Sequence, residues 1–195
     1  MNNLKEKIVS LLEECELIRK KFLKTGVDSI IDSVGIIINC FNEGGKLLLF
    51  GNGGSAADAQ HLAAEFVNRF LKEREALPAI ALTTDTSILT CISNDRDYES
   101  IFKRQIEALG KPGDIAFGIT TSGKSPNVIS ALSVAKKRGL STIALIGDNK
   151  EEIDAHSDII ISVPTSDTPR IQEMHITIGH IICHLVEEEF CKENA

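Results

Sequence analysis

Apolar side chains recur at helical spacing through the first 43 residues. Leu4, Ile8, Leu11, Leu12, Cys15 and Phe22 form one set, and past Gly26 a second follows with Ile30, Ile31, Val34, Ile37, Ile38 and Phe41. This spacing predicts two helices. From Lys46 the pattern changes to short apolar runs between longer amphipathic stretches: Leu47 to Phe50, Ala79 to Leu82, Asp114 to Thr120, Ser141 to Ile146 and Asp158 to Val163. Such runs read as parallel strands buried on both faces, each feeding a helix. The expectation is one α/β domain over 1–195. A helical hairpin over 1–45 precedes a three-layer sandwich over 46–195, in which helices flank a five-stranded parallel sheet and a helix from about Pro169 to Phe190 closes the chain. The hairpin carries more apolar surface than a lone pair needs to cover one sheet edge. Two readings stay open: contact with another subunit, or cover for the sheet of its own chain.

Composition agrees with a single globular domain, with 43% of the 195 residues hydrophobic and 25% charged. A chain of this length buries roughly 70% of its unfolded surface, so it needs no disulfide or metal merely to stay folded. Twenty-one Lys and Arg against 28 Asp and Glu leave a net charge of -7. That sign argues against a nucleic-acid or membrane partner, so an anionic ligand would be held locally. The five cysteines (Cys15, Cys40, Cys91, Cys183, Cys191) are odd in number and widely spaced, which reads as reduced thiols in the cytoplasm. Charges at Lys5, Glu6, Lys7, Glu13 and Glu14 leave no signal-peptide core in the opening segment. No run approaches the ~18 apolar residues of a membrane span.

Two strand-to-helix junctions have unusual chemistry. After the first strand comes Gly51-Asn52-Gly53-Gly54-Ser55, whose glycines let the backbone approach a ligand and whose Ser55 is placed to cap the next helix. The spacing matches neither G-x-G-x-x-G nor a P-loop. After the third strand comes Thr120-Thr121-Ser122-Gly123-Lys124-Ser125-Pro126. Its hydroxyls, backbone N–H groups and helix N-terminus suit one phosphate group, with Lys124 as an available charge. Ser93-Asn94-Asp95-Arg96-Asp97 interrupts another apolar stretch and offers groups that grip hydroxyls, although Asn and Asp are also ordinary turn residues.

The helix after the glycine loop carries Asp58, Gln60, His61 and Glu65, with His61 and Glu65 four apart on one face. The last helix carries Gln172, His175, His180 and His184, of which Gln172 and His180 lie eight apart on roughly one side. These residues read in two ways. His61, Glu65 and His180, with Gln172 as an amide donor, are ligand types that zinc accepts. Alternatively, the carboxylate and an imidazole form an acid/base pair.

The stretch Gly51 to Glu65 (GNGGSAADAQHLAAE), the Thr120 to Ser125 loop (TTSGKS) and Arg170 to His180 (RIQEMHITIGH) together resemble the bacterial phosphoheptose isomerases, a branch of the sugar-isomerase (SIS) domain family. The resemblance runs in order from about Lys46 to the last helix. It implies a five-stranded parallel SIS fold and an aldose–ketose isomerase converting sedoheptulose 7-phosphate to D-glycero-D-manno-heptose 7-phosphate, the entry to bacterial heptose nucleotides. It also implies a homotetramer with active sites shared between subunits and one Zn2+ per subunit. Carried over residue by residue, Glu65 and His180 fall on the family's acid/base pair. Asn52, Gly53, Gly54, Glu65, Asn94, Asp95, Thr120, Thr121, Ser122, Ser125 and Gln172 fall on its substrate contacts, and Ser55 joins the phosphate group by position. His61, Glu65, Gln172 and His180 fall on its zinc ligands. The chain departs from the pattern in Thr120, where Ser is usual, and Lys124, where Asn is common. A paralogue of the same fold scaffolds the replication initiator without isomerase chemistry, and Asn68 to Leu82 resembles it equally well. Asp58, Glu65 and His180 favour the enzyme, because a scaffold has no reason to keep them.

Overall fold

Every residue of strand β1 (Leu47–Gly51) is buried. Successive side chains leave on opposite sides, so Leu47 and Leu49 enter one core while Leu48 and Phe50 enter the other. The same alternation places Ile115, Phe117 and Ile119 of β3 (Ile115–Thr120) on the first side. It divides β4 (Ser141–Ile146) into Ile143 and Leu145 against Ala144 and Ile146. With β2 (Ala79–Ala81) and β5 (Ile159–Ser162), these strands form one sheet in the order β2-β1-β3-β4-β5, with all pairs parallel. The computed structural model describes residues 2–192.

Helices α1 (Asn2–Phe22), α2 (Val27–Asn42), α3 (Gly54–Val67) and α7 (Thr168–Lys192) build the first core through residues such as Ile18, Ile37, Phe66 and Ile178. Helices α5 (Ser100–Leu109) and α6 (Pro126–Lys137) build the second through Phe102, Ile106, Val128 and Leu132. The three layers and five parallel strands are those expected, within a residue or two at each strand end. Two connections differ. Between β2 and β3 the chain forms two helices, α4 (Thr86–Asp95) and α5, because Arg96 to Glu99 breaks the helical run. Between β4 and β5 it forms only a short 3-10 turn, Asp154–His156, so β4 feeds no α-helix.

The front hairpin covers the sheet of its own chain only in part. Ile18, Phe22, Ile30 and Ile37 cover the sheet of their own chain, whereas Leu4 and Leu12 remain 64% and 63% exposed. The apolar stripe of α1 is thus largely unpartnered within one chain. No helix is long and apolar enough to cross a membrane among the described residues, and all five cysteines are free.

Candidate active site

In a parallel sheet of order 2-1-3-4-5, neighbouring connections diverge between β1 and β3, leaving a crevice beyond their carboxyl ends. The two loops singled out by sequence flank that crevice. Gly53 has φ +55 and Gly123 φ +67, conformations that residues with a Cβ rarely adopt. A side chain on Gly123 would also strike the Asn149 carbonyl.

The hydroxyl loop folds inward on itself. Thr120 Oγ1 lies 2.9 Å from Ser125 Oγ and 3.4 Å from Ser122 Oγ, which accepts the Lys124 N–H at 3.2 Å. Ser125 is the N-cap of α6; its side chain makes no cap bond, while its carbonyl accepts the Val128 and Ile129 N–H groups at 3.0 Å. Thr121 is half-buried and its carbonyl accepts the Gly147 N–H.

Across the crevice, Asn52 and Asn127 exchange both amide bonds: Asn52 Nδ2 donates to Asn127 Oδ1 at 2.9 Å and Asn127 Nδ2 to Asn52 Oδ1 at 2.8 Å. Tyr98 adds its hydroxyl to Asn52 Oδ1 at 3.1 Å. Gly53, not Ser55, is the N-cap of α3. Ser55 lies buried in the first turn, against Gly51, so the expected capping role does not hold. Asn94 and Asp95 end α4, a helix with no buried residue. Their side chains bond each other and Cys91, and the Asn94 amide leads in holding the Asp95 carboxyl below its usual range. Tyr98, on the segment that follows, reaches Asn52.

The chemistry-bearing helices α3 and α7 pack in parallel. Gln172 meets Gly54, Gly179 meets Leu62, His180 meets His61, and Glu187 meets the turn after α3, in the same order along both helices. A Cβ on Gly179 would come within 2.6 Å of Leu62, so glycine permits the close approach. His61 Nε2 stands 3.0 Å from Glu65 Oε1 and 3.2 Å from His180 Nε2. The His180 ring also lies 5.3 Å from Phe70. One turn before His61, Asp58 has a buried Oδ2 without a hydrogen-bond partner; burial pushes its carboxyl up, and His61 opposes that.

A carboxylate oxygen and a second imidazole nitrogen thus both approach one ring nitrogen of His61, which carries at most one proton. A cation is one group that this arrangement of donors would accept. Both separations are close to the ~3.3 Å edge of a tetrahedron with zinc–ligand bonds of ~2.0–2.1 Å, and two imidazoles with one carboxylate suit zinc in kind. Among the described residues no three His, Cys, Asp or Glu side chains already close around one point, so the donors form a row, not a cage.

Gln172 is the exception among the expected ligands. Its amide rests against Gly54. Eight helical residues from His180 correspond to about 12 Å along the axis. Within one chain the structure therefore does not bring Gln172 to the His61–Glu65–His180 group. The group itself is open, with His61 46% and Glu65 23% exposed in their side chains.

Sequence reasoning missed Asn127, Tyr98, Phe70, Arg74 and Glu187. Asn127 follows a Pro at a helix start, where Asn reads as a turn residue. Glu187 opens a run of three glutamates that reads as a solvated face. Neither carries a local signal of its partner.

Comparison with known proteins supplies the remaining observations. The SIS domain family matches residues 11–147. The phosphoheptose isomerase of Thermodesulfovibrio yellowstonii is 53% identical over 185 residues, covering 95% of this chain and 92% of that protein. That of Aquifex aeolicus is 52% identical over 189 residues, covering 97% and 99%. Among solved structures, the phosphoheptose isomerase from Neisseria gonorrhoeae superposes with a TM-score of 0.89 at 39% identity, covering 95% of this chain and 99% of its own. The one from Francisella tularensis gives 0.91 at 34% identity, covering 96% and 100%.

Proposed function

This chain belongs to the SIS-domain phosphoheptose isomerases, and on that premise we propose that it interconverts sedoheptulose 7-phosphate and D-glycero-D-manno-heptose 7-phosphate through an enediol. The observation that carries the proposal is the meeting of a carboxylate and two imidazoles on paired helices, in a chain that also presents a hydroxyl-lined helix N-terminus at the carboxyl end of its sheet.

Isomerisation moves one proton from C1 to C2 and exchanges protons between O1 and O2. Glu65 takes the proton from C1 of the ketose and returns it to C2, while His180 delivers a proton to O2 and accepts the one leaving O1. The Thr120, Ser122 and Ser125 hydroxyls, the Thr121 segment and the N-terminus of α6 hold the phosphate. Asn52, Gly53, Gly54 and Ser55 shape the opposite wall, and Asn94, Asp95 and Gln172 contact the sugar. Anchoring the phosphate converts binding energy into orientation of C1 and C2.

His61, Glu65 and His180 would hold a zinc ion, which when bound polarises the sugar oxygens. The two roles of Glu65 compete, since a carboxylate held by a cation is a weaker base. Exposure of the group in one chain, together with the bare apolar stripe of α1, supports a homotetramer whose subunits complete one another's sites, with a second copy as the source of Gln172 for this cluster. Five free thiols fit a cytoplasmic setting.

The test is conversion of sedoheptulose 7-phosphate in deuterated water, followed by NMR, with Glu65→Gln and His180→Gln alongside. Turnover with deuterium at C2 of the product, lost by about 10²-fold or more in both folded variants, is expected. No turnover by the native chain, with or without zinc, sinks the proposal.

A further inference from the structure

Resting on that reading of the site, we infer that Arg74 and Glu187 form a buried clamp that sets the position of Glu65 and of the His180 imidazole, with Phe70 as the part that touches the ring. The two side chains are 1% and 2% exposed, with Nε 3.4 Å from Oε1. The remaining guanidinium nitrogens donate to carbonyls at the end of α3. They reach Glu65 at 2.8 Å and Phe66 at 2.9 Å, with a further bond to Glu75 at 2.8 Å. Those carbonyls lack helical partners at a C-terminus, and a fixed cation suits the negative end of the helix.

The Glu187 carboxylate faces the other way. It accepts the N–H groups of Phe70 at 2.7 Å, Leu71 at 2.6 Å and Lys72 at 2.9 Å. The turn so gathered carries the Phe70 ring to 5.3 Å from His180 and 6.2 Å from His184. Glu187 itself lies seven residues after His180, two turns along the same face of α7. One ion pair therefore joins the end of the helix that carries Glu65, the turn that carries Phe70, and the helix that carries His180.

A buried ion pair is weak grounds for stability, because desolvation offsets its attraction. Here nearly every polar atom of the pair is aimed at backbone of the segments that frame the site, which is the geometry of positioning. Burial pushes the Glu187 carboxyl up, but the three N–H bonds and Arg74 outweigh it and keep the group charged.

Arg74→Lys keeps a charge opposite Glu187 and removes the fork that reaches the Glu65 and Phe66 carbonyls. Phe70→Leu keeps the turn and removes the ring. Both are read in the full chain by melting temperature, by kcat and KM on sedoheptulose 7-phosphate, and by the imidazole NMR shifts of His180 at fixed pH, assigned with His180→Gln. The clamp predicts folded variants with KM near native, kcat lower by about ten- to a hundredfold, and a moved His180 signal. Folded variants with native kcat and native His180 shifts overturn it. If Arg74→Lys does not fold, Phe70→Leu, at a partly exposed ring, decides on the same two readouts. If the native chain does not turn over the sugar phosphate, the isomerase reading fails by itself and the His180 shifts still decide the clamp.

Discussion

Asn52 and Asn127 are 75 residues apart in sequence and exchange both amide hydrogen bonds across the crevice between β1 and β3. The pair ties the glycine loop to the first turn of α6, across the crevice from one wall to the other. Asn127 is 2% exposed and has no water with which to replace a lost partner.

Asn127→Ala should destabilise the chain by about 1–3 kcal/mol, because the Asn52 amide is left without its main partner. The same substitution should raise KM for the sugar phosphate, since the glycine loop loses its tether. Urea unfolding and steady-state kinetics check the two effects separately. An unchanged midpoint would show that the pair contributes nothing to the native state.

Ser125→Ala offers the opposite pattern. An N-cap serine lost from a helix ordinarily costs about 0.5–2 kcal/mol. The Ser125 hydroxyl bonds Thr120 and does not cap α6, so thermal stability should stay close to native while KM rises by about tenfold from one lost phosphate contact. A drop in melting temperature at native KM would reverse that assignment.

His175 is fully buried in α7. Burial lowers its pKa from 6.5 to about 4, with a backbone contact at Ile146 acting in the other direction. Between those values the unfolded chain binds a proton that the folded chain refuses. Stability therefore falls as pH drops through 6.5 and reaches its full loss, about 3 kcal/mol, below 4. Urea midpoints at pH 7.5 and 4.5 for the native chain and His175→Leu measure the contribution as a difference. It should shrink strongly in the variant, and equal acid sensitivity in both would refute it.

Leu12→Glu places a charge in the exposed apolar stripe of α1. Light scattering should give the native chain a mass that is a multiple of 21.2 kDa and give the variant a smaller one, with activity reduced. A native monomer would remove the argument for shared sites.

Most of the architecture was legible in the chain because its signals are local. Continuous apolar runs and helical repeats identified the front helices, all five strands and the closing helix. The split into α4 and α5 was marked only by an interruption at Ser93 to Asp97, which reads equally well as a loop. The absence of an α-helix between β4 and β5 is signalled only by the short polar segment Gly147 to Asp158, which opens on turn residues and lacks a helical apolar repeat. For the site, His61 and Glu65 are one turn apart, so their meeting followed from helical geometry. His180 stands 119 residues from His61, and its arrival there depends on how α7 packs.

By itself the sequence determined the period of each element, the parallel sheet that those periods imply, and the kinds of side chain available for chemistry. Tertiary structure decided which of them meet. Parallel packing of α3 against α7 brings His180 to His61, leaves Gln172 at Gly54, and lowers Glu187 onto the turn at Phe70. The reason is physical: backbone propensity and hydrophobic period act over a few residues, whereas the axial register of two packed helices is set by interdigitation along their whole contact, at points such as Gly179 against Leu62.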